Sequence, residues 1–285
     1  MTFGSLFAGI GGFDLGLERA GMECRWQVEI DSYASGVLAK HWPNVTRWSD
    51  VRTFPVGDPS DWQVDLICAG VPCQPVSHAG KQKGASDERW MWGEALRVVA
   101  DLCPRFFVAE NPIGLLSHDA GRTFHGIIRA FASVGYVCEW HVIAAADVGA
   151  PHRRQRVWLV ANAQGVVGRA GFCQDYKEQD WDQFADSSGS VADANGRRRK
   201  RQRLPKHGDQ QGPSGDIPYG CSSWGRWARP DQCREQWKTE PAVGRVADGV
   251  PHRVDRLRCL GNAVVPQVAE VIGRAIIELD AAKRR

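Results

Sequence analysis

The 285-residue sequence predicts an α/β fold: an open sheet flanked by helices, with a smaller, loop-rich region set into it. Three observations predict it. Short apolar runs of strand length recur, and several end in a carboxylate or a thiol. A glycine turn separates the first run from a helical stretch. An apolar stripe at helical spacing closes the chain and needs a surface to cover it.

The hydrophobic fraction, 43%, is enough for a real core, and a net charge of +3 is too small to make the whole molecule basic. Any nucleic-acid surface must therefore come from local clustering. The nine cysteines are scattered, odd in number and without a C-x-x-C pair. That pattern argues against a disulfide framework and against a zinc knuckle, and no metal is expected. No segment reads as apolar for long enough to cross a bilayer. Met1 to Ser5 lack the charge and apolar core of a signal peptide. A cytoplasmic protein with no membrane partner is expected.

Residues 2–6 form a first strand, followed by Phe7-Ala8-Gly9-Ile10-Gly11-Gly12-Phe13 and a helix over 13–20 closed by Gly21. Glycines in such a turn let the backbone approach a ligand. The spacing is not G-x-G-x-x-G, so a tight turn with nothing bound is the plain alternative. The second strand, 24–28, ends at Glu29, where a carboxylate can accept from both hydroxyls of a ribose; a surface acid is the alternative. Asp31 is placed to cap a helix over 32–42. Asp50-Val51 closes a third strand region, and Asp50 can meet an adenine amino group or cap a helix.

The run 65–69 leads into Gly70-Val71-Pro72-Cys73-Gln74-Pro75-Val76-Ser77. The carboxyl ends of strands are where open α/β sheets bind ligands. Pro72 and Pro75 constrain the backbone around Cys73, which presents the thiol. On this stretch alone a core thiol remains equally open. Residues 77–89 are polar, basic and glycine-bearing, which suits a mobile loop closing over a phosphate-bearing substrate. A helix over 90–102 follows, stopped by Pro104. The strand 106–109 ends in Glu110-Asn111-Pro112. Residues 137–145 and 157–161 read as two strands of a hairpin, with Arg154 and Arg156 on one face of the second. Beside a pocket, two such arginines become anion or carbonyl clamps.

From 162 to 249 the periodicity disappears and Gly, Pro, Ser, Asp and Gln dominate. A basic run over 197–206 is followed by tryptophans among arginines. Order returns with Arg253 to Leu260, then Gly261-Asn262-Ala263-Val264 and a helix to Leu279. Its apolar stripe is Val268, Val271, Ile272, Ala275, Ile276 and Leu279.

Taken together, the chain resembles the DNA cytosine-5 methyltransferases. Five motifs stand in family order: the turn 7–13, Gly70-Val71-Pro72-Cys73-Gln74, Glu110-Asn111, Arg154-Gln155-Arg156, and Gly261-Asn262-Ala263-Val264. The family usually has valine at Pro112, phenylalanine at Val76 and glutamine at His152. The resemblance implies a Rossmann-like S-adenosylmethionine-dependent methyltransferase domain over 1–161. A target-recognition region would span 162–249, and 250–285 would return to the first domain.

It also implies roles. Cys73 would add to carbon 6 of a flipped-out cytosine, which makes carbon 5 reactive toward a methyl group. Glu110 would protonate N3. Arg156 would hold O2 and orient Glu110, and Arg154 would support the loop. The implied cofactor is S-adenosyl-L-methionine. Phe7, Ala8, Gly9, Ile10, Gly11 and Gly12 would line its site, with Glu29 on the ribose and Ile30, Asp50 and Val51 near the base. Pro72, Trp92, Asn262, Ala263 and Val264 would complete it. Ser77, Lys81, Lys83 and Arg89 would meet DNA from the loop. Arg197, Arg198, Arg199 and Arg201 would hold its backbone, with base reading by 221–237. The partners implied are double-stranded DNA and, for half of a restriction-modification pair, a cognate restriction endonuclease; a monomer is expected. An RNA (tRNA) cytosine-5 methyltransferase and a catalytically silent DNA-binding relative are the alternatives.

Overall fold

The computed structural model describes residues 1–72, 91–163 and 251–283. Cys73, the loop that follows it and the whole region 164–250 lie outside the described residues, as do the expectations placed on them.

Seven strands form one sheet: β1 (Thr2–Leu6), β2 (Glu23–Val28), β3 (Thr46–Trp48), β4 (Leu66–Ala69), β5 (Phe106–Pro112), β6 (Tyr136–Ala144) and β7 (Gln155–Ala163). Their order is β3-β2-β1-β4-β5-β7-β6. The first five pair in parallel, and β7 runs antiparallel to both β5 and β6. Strand order reverses between β1 and β4, so a crevice opens beyond their carboxyl ends. The glycine turn and Pro72 both leave the sheet there.

Seven helices accompany the strands among the described residues: α1 (Gly12–Arg19), α2 (Ser32–His41), α3 (Trp92–Leu102), α4 (Gly114–Ser117), α5 (Arg122–Ser133), α6 (Arg253–Asn262) and α7 (Pro266–Lys283). The sheet is covered on both faces, so β4 and β5 read as unbroken apolar runs. Phe107 and Ile67 face α3 and α5, packing with Trp92, Leu96, Ile127 and Phe131. Their neighbours Phe106 and Leu66 face the other way, toward Leu17 of α1 and Ile272 and Ile276 of α7.

The C-terminal helix docks on α1 because α1 shows it a stripe without side chains. A Cβ at Gly12 would lie 2.4 Å from the Val264 carbonyl oxygen, and one at Gly16 would lie 2.3 Å from that of Pro266. Gly16→Val is therefore expected to push α7 off α1 and to lower stability by about 1–3 kcal/mol, read by urea melts. An unchanged midpoint would show that the two helices can spread at no cost.

Some expectations need correction. Leu279 is 37% exposed, and Asp280 turns inward instead, paired with Arg105. Arg105 also holds Asp65 at 2.8 Å, which ties the end of α7 to the lower edge of the sheet. The lead-in 253–260 is itself a helix, and the strand expected over 157–161 is longer, β7 running over Gln155–Ala163. Arg253–Lys283 is long and apolar enough to cross a membrane by length and composition, contrary to expectation. The chain breaks there between α6 and α7, and the apolar stripe of α7 is spent on α1.

Candidate active site

A cleft of about 420 Å³ lies beyond the carboxyl ends of β1, β2, β4 and β5. The turn after β1 supplies Phe7, Ala8 and Gly9, with Phe7 and Gly9 at φ 52° and 59°. Beneath the turn, the fully buried Asp14 accepts from Ser5 Oγ at 3.1 Å and from Gln27 Nε2 at 2.8 Å. This polar knot joins β1, β2 and α1, and burial raises the Asp14 carboxyl's pKa.

Glu29 leaves β2 into the cleft. One of its oxygens accepts from Gly9 N–H and the other from Asp31 N–H, each at 2.7 Å. Burial raises its pKa, while those backbone donors act in the opposite direction. Each oxygen keeps a second lone pair, so the carboxylate can still receive two neighbouring hydroxyls.

From β4 come Gly70, Val71 and Pro72. Asn111 Nδ2 donates to the Val71 carbonyl at 2.9 Å and so fixes the backbone that leads into Cys73. Next to it on β5, Glu110 is only 7% exposed. Arg156 enters from β7 and meets Glu110 Oε1 through Nε at 2.9 Å. Burial pushes the Glu110 carboxyl up to about 7 against the pull of Arg156 and Arg154. An acid so poised can hold or release a proton near neutrality.

Arg154 sits just before β7 with φ 33° and donates from Nη2 to the carbonyls of Gly261 (2.9 Å) and Ala263 (2.7 Å). Among the described residues it therefore holds the returning C-terminal segment, where the resemblance implied support of the loop. Its Nε is buried without a partner.

The fold thus brings Phe7, Ala8, Gly9, Glu29, Pro72, Glu110, Arg154, Arg156, Asn262, Ala263 and Val264 to one cleft. Other expected residues stand apart. A Cβ at Gly11 would meet the Trp42 ring at 2.4 Å, so Gly11 and Gly12 serve close packing, and Ile10 is not on the cleft wall. Ile30 is 67% exposed and does not line the cleft. Asp50 caps the turn Val51–Thr53 and pairs with Arg52 at 2.8 Å, the plainer of its two readings. Val51 and Trp92 are buried in the core behind the cleft. Cys73, Ser77, Lys81, Lys83, Arg89, Arg197, Arg198, Arg199 and Arg201 lie outside the described residues. Cleft residues not anticipated as such include Asp31, Ala34, Arg258 and Cys259. Once α6 is seen to run to Asn262, the i, i+4 spacing places Arg258 on the same helix face as that asparagine.

Comparison with known proteins fits this geometry. The family profile described as C-5 cytosine-specific DNA methylase matches residues 1–211. The type II methyltransferase M.NaeI of Lentzea aerocolonigenes is 31% identical over 307 residues, covering 94% of this chain and 73% of its own. M.NgoMIV of Neisseria gonorrhoeae is 40% identical over 167 residues, covering 56% of this chain and 52% of its own. For M.BanI of Aneurinibacillus aneurinilyticus, the figures are 34% over 177 residues, 59% of this chain and 39% of the relative. The chain thus spans about half or less of the length of the last two. Among solved structures, an Entamoeba histolytica methyltransferase overlays 59% of this chain and 55% of its own at a TM-score of 0.49 and 18% identity. The family's methyl donor is S-adenosyl-L-methionine. With its profile matched over most of the sequence and a relative 31% identical across 94% of this chain, the chain belongs to the C-5 cytosine-specific DNA methylase family.

Proposed function

We propose that this protein methylates carbon 5 of cytosine in double-stranded DNA, with S-adenosyl-L-methionine as donor. The observation that carries the reading is the Glu110–Arg156 pair in the cleft: a buried carboxyl poised near 7, 2.9 Å from a guanidinium. Addition of a nucleophile at carbon 6 places charge on N3 of the base. Glu110 gives its proton there, and Arg156 donates to O2 while keeping Glu110 in line. Cys73, two residues past Val71, forms the bond to carbon 6 and leaves it again as the methylated carbon 5 gives its proton to solvent, and Asn111 holds the backbone that leads to it. A stacked base cannot reach this cleft, so the target cytosine leaves the duplex.

The cofactor fits the residues at the cleft's other end. Glu29 offers two acceptors spaced for a ribose diol, and Gly9 leaves the backbone bare, with open space where a Cβ would be. Asn262 and Ala263 complete that wall from the C-terminal side. When bound, S-adenosylmethionine supplies the electrophilic methyl group. Region 162–249 recognises the target sequence in this reading, with the arginines from 197 to 201 on phosphates. The type II relatives favour a restriction-modification setting with a cognate endonuclease.

Transfer of labelled methyl from the donor to duplex DNA and to tRNA, run side by side, tests the reading. Label confined to cytosine carbon 5 of DNA is expected, and label on tRNA alone would replace DNA with RNA as substrate. Glu29→Ala should weaken donor binding about tenfold or more, because hydrogen bonds to a charged group contribute roughly 1.5–3 kcal/mol. Unchanged affinity by calorimetry would remove Glu29 from the donor site.

A further inference from the structure

From the way α6 is fastened we infer that Arg258 is a positioning residue for the donor: through Asp31 it latches α6 shut over the cofactor end of the cleft. The inference rests on the donor site proposed above.

Helix α6 carries one wall of that cleft, including Arg258, Cys259 and Asn262. None of its ten residues is buried by the described residues, so among them apolar packing does not hold it in place. Among the described residues, side-chain hydrogen bonds join its length to the rest at two places. At its end, Arg154 donates to Gly261. In its middle, Arg258 Nη2 donates to Asp31 Oδ2 at 2.6 Å. A looser ring contact, Tyr33 to His252 with centroids 5.7 Å apart, touches its first turn. The chain is extended at Ala263, between α6 and α7, where Arg154 grips the carbonyls of Gly261 and Ala263 next to a helix docked on α1.

The other half of the latch belongs to the opposite wall. Asp31 Oδ1 caps α2 through Ala34 N–H at 2.9 Å, and the Asp31 N–H is one of the two donors that orient Glu29. The ion pair therefore connects the helical wall directly to the group that receives the donor's ribose. Asp255 lies 3.3 Å from the same Arg258 nitrogen and steadies the guanidinium from its own helix. Opening α6 requires breaking the Arg258–Asp31 pair, while chemistry at the Glu110 end does not.

The expected effect is on exchange of the donor. The pair is half-exposed, with side-chain exposures of 52% and 30%. Pairs of this kind sustain changes of roughly two- to fivefold. Arg258→Met and Asp31→Asn should each raise the dissociation rate of S-adenosylmethionine by about that factor. Asn still caps a helix, so α2 keeps its start. The donor KM should rise with dissociation while kcat at saturating donor does not fall, and Arg258→Lys should restore most of the parent rate. Salt separates a latch from a mere packing contact. Raising ionic strength from about 0.05 to 0.5 M should speed dissociation from the parent and leave the Met variant unmoved. Equal dissociation rates and equal salt responses in parent and both variants would overturn the latch while leaving the donor site standing. No binding heat with S-adenosylmethionine in the parent would overturn both.

Discussion

Glu110→Gln is expected to slow methyl transfer by about 10²–10⁴-fold, the range that general acid catalysis contributes, without unfolding the protein. Gln keeps the shape and an acceptor for Arg156 but has no proton to give to N3. The pH profile carries the sharper test. The Glu110 carboxyl is pushed from 4.5 to about 7 by burial, so the acid is protonated below that value and lost above it. In the parent, kcat/KM for DNA should fall as pH rises through about 7. In Glu110→Gln this fall should be missing from whatever activity remains.

Stability follows the same shift with a definite sign. Between 4.5 and about 7 the folded state holds the proton and the unfolded state does not. Stability therefore falls as pH rises through that window, by up to about 3 kcal/mol for this group. Gln removes the cost of the buried charge, so at pH 8 the variant should melt no lower than the parent. An alkaline fall in rate that persists in Glu110→Gln would assign it to another group and end the acid role proposed for Glu110.

Cys73→Ser is expected to cost more, about 10³-fold or greater in methyl transfer, because the loss is of the bond-forming atom itself. Covalent trapping on DNA that carries 5-fluorocytosine should disappear with it. A hydroxyl is not ionised near neutrality, whereas a thiol beside basic groups can be. Three of the described thiols are poor substitutes. Cys68 is fully buried in β4, and burial pushes its pKa well above the ordinary range. Cys24 is likewise buried and raised. Cys259 lines the cleft, but burial and the nearby Asp31 raise it as well. Trapping that survives in Cys73→Ser would overturn the assignment and pass the role to another thiol, of which Cys259 is the one lining the cleft among the described residues.

Most of the sheet was legible before any coordinates because strands such as β1, β4 and β5 carry short apolar runs bounded by turn signals, whereas β3, Thr46–Trp48, does not. Thr2–Leu6, Glu23–Val28 and Phe106–Pro112 were all found this way, within a residue or a few. The glycine turn, Glu29, Glu110 and the paired arginines were legible too, because strand ends in an open sheet point functional groups into one crevice. Asp50 kept two readings open for a local reason. A carboxylate before a turn can cap it or meet a ligand, and the sequence holds no sign of which competitor for its oxygens is nearer. Here the competitor is Arg52, two residues away.

The amino-acid sequence by itself determined the fold class and most of the strands but not the helices Arg122–Ser133 and Arg253–Asn262, and the resemblance supplied several of the residues that line the cleft. It did so because periodicity and turn chemistry are local, and local preferences survive without knowledge of what they pack against. Only the tertiary structure decided that Gly12 and Gly16 serve helix packing, that Asp280 and not Leu279 turns inward, and that Arg154 grips the segment 261–263. Only there do Arg258 and Asp31, 227 residues apart, meet across the cleft. Such pairings depend on where α6 and α7 come to lie on a sheet built from the other end of the chain. No property of either residue's neighbours in sequence encodes that distance.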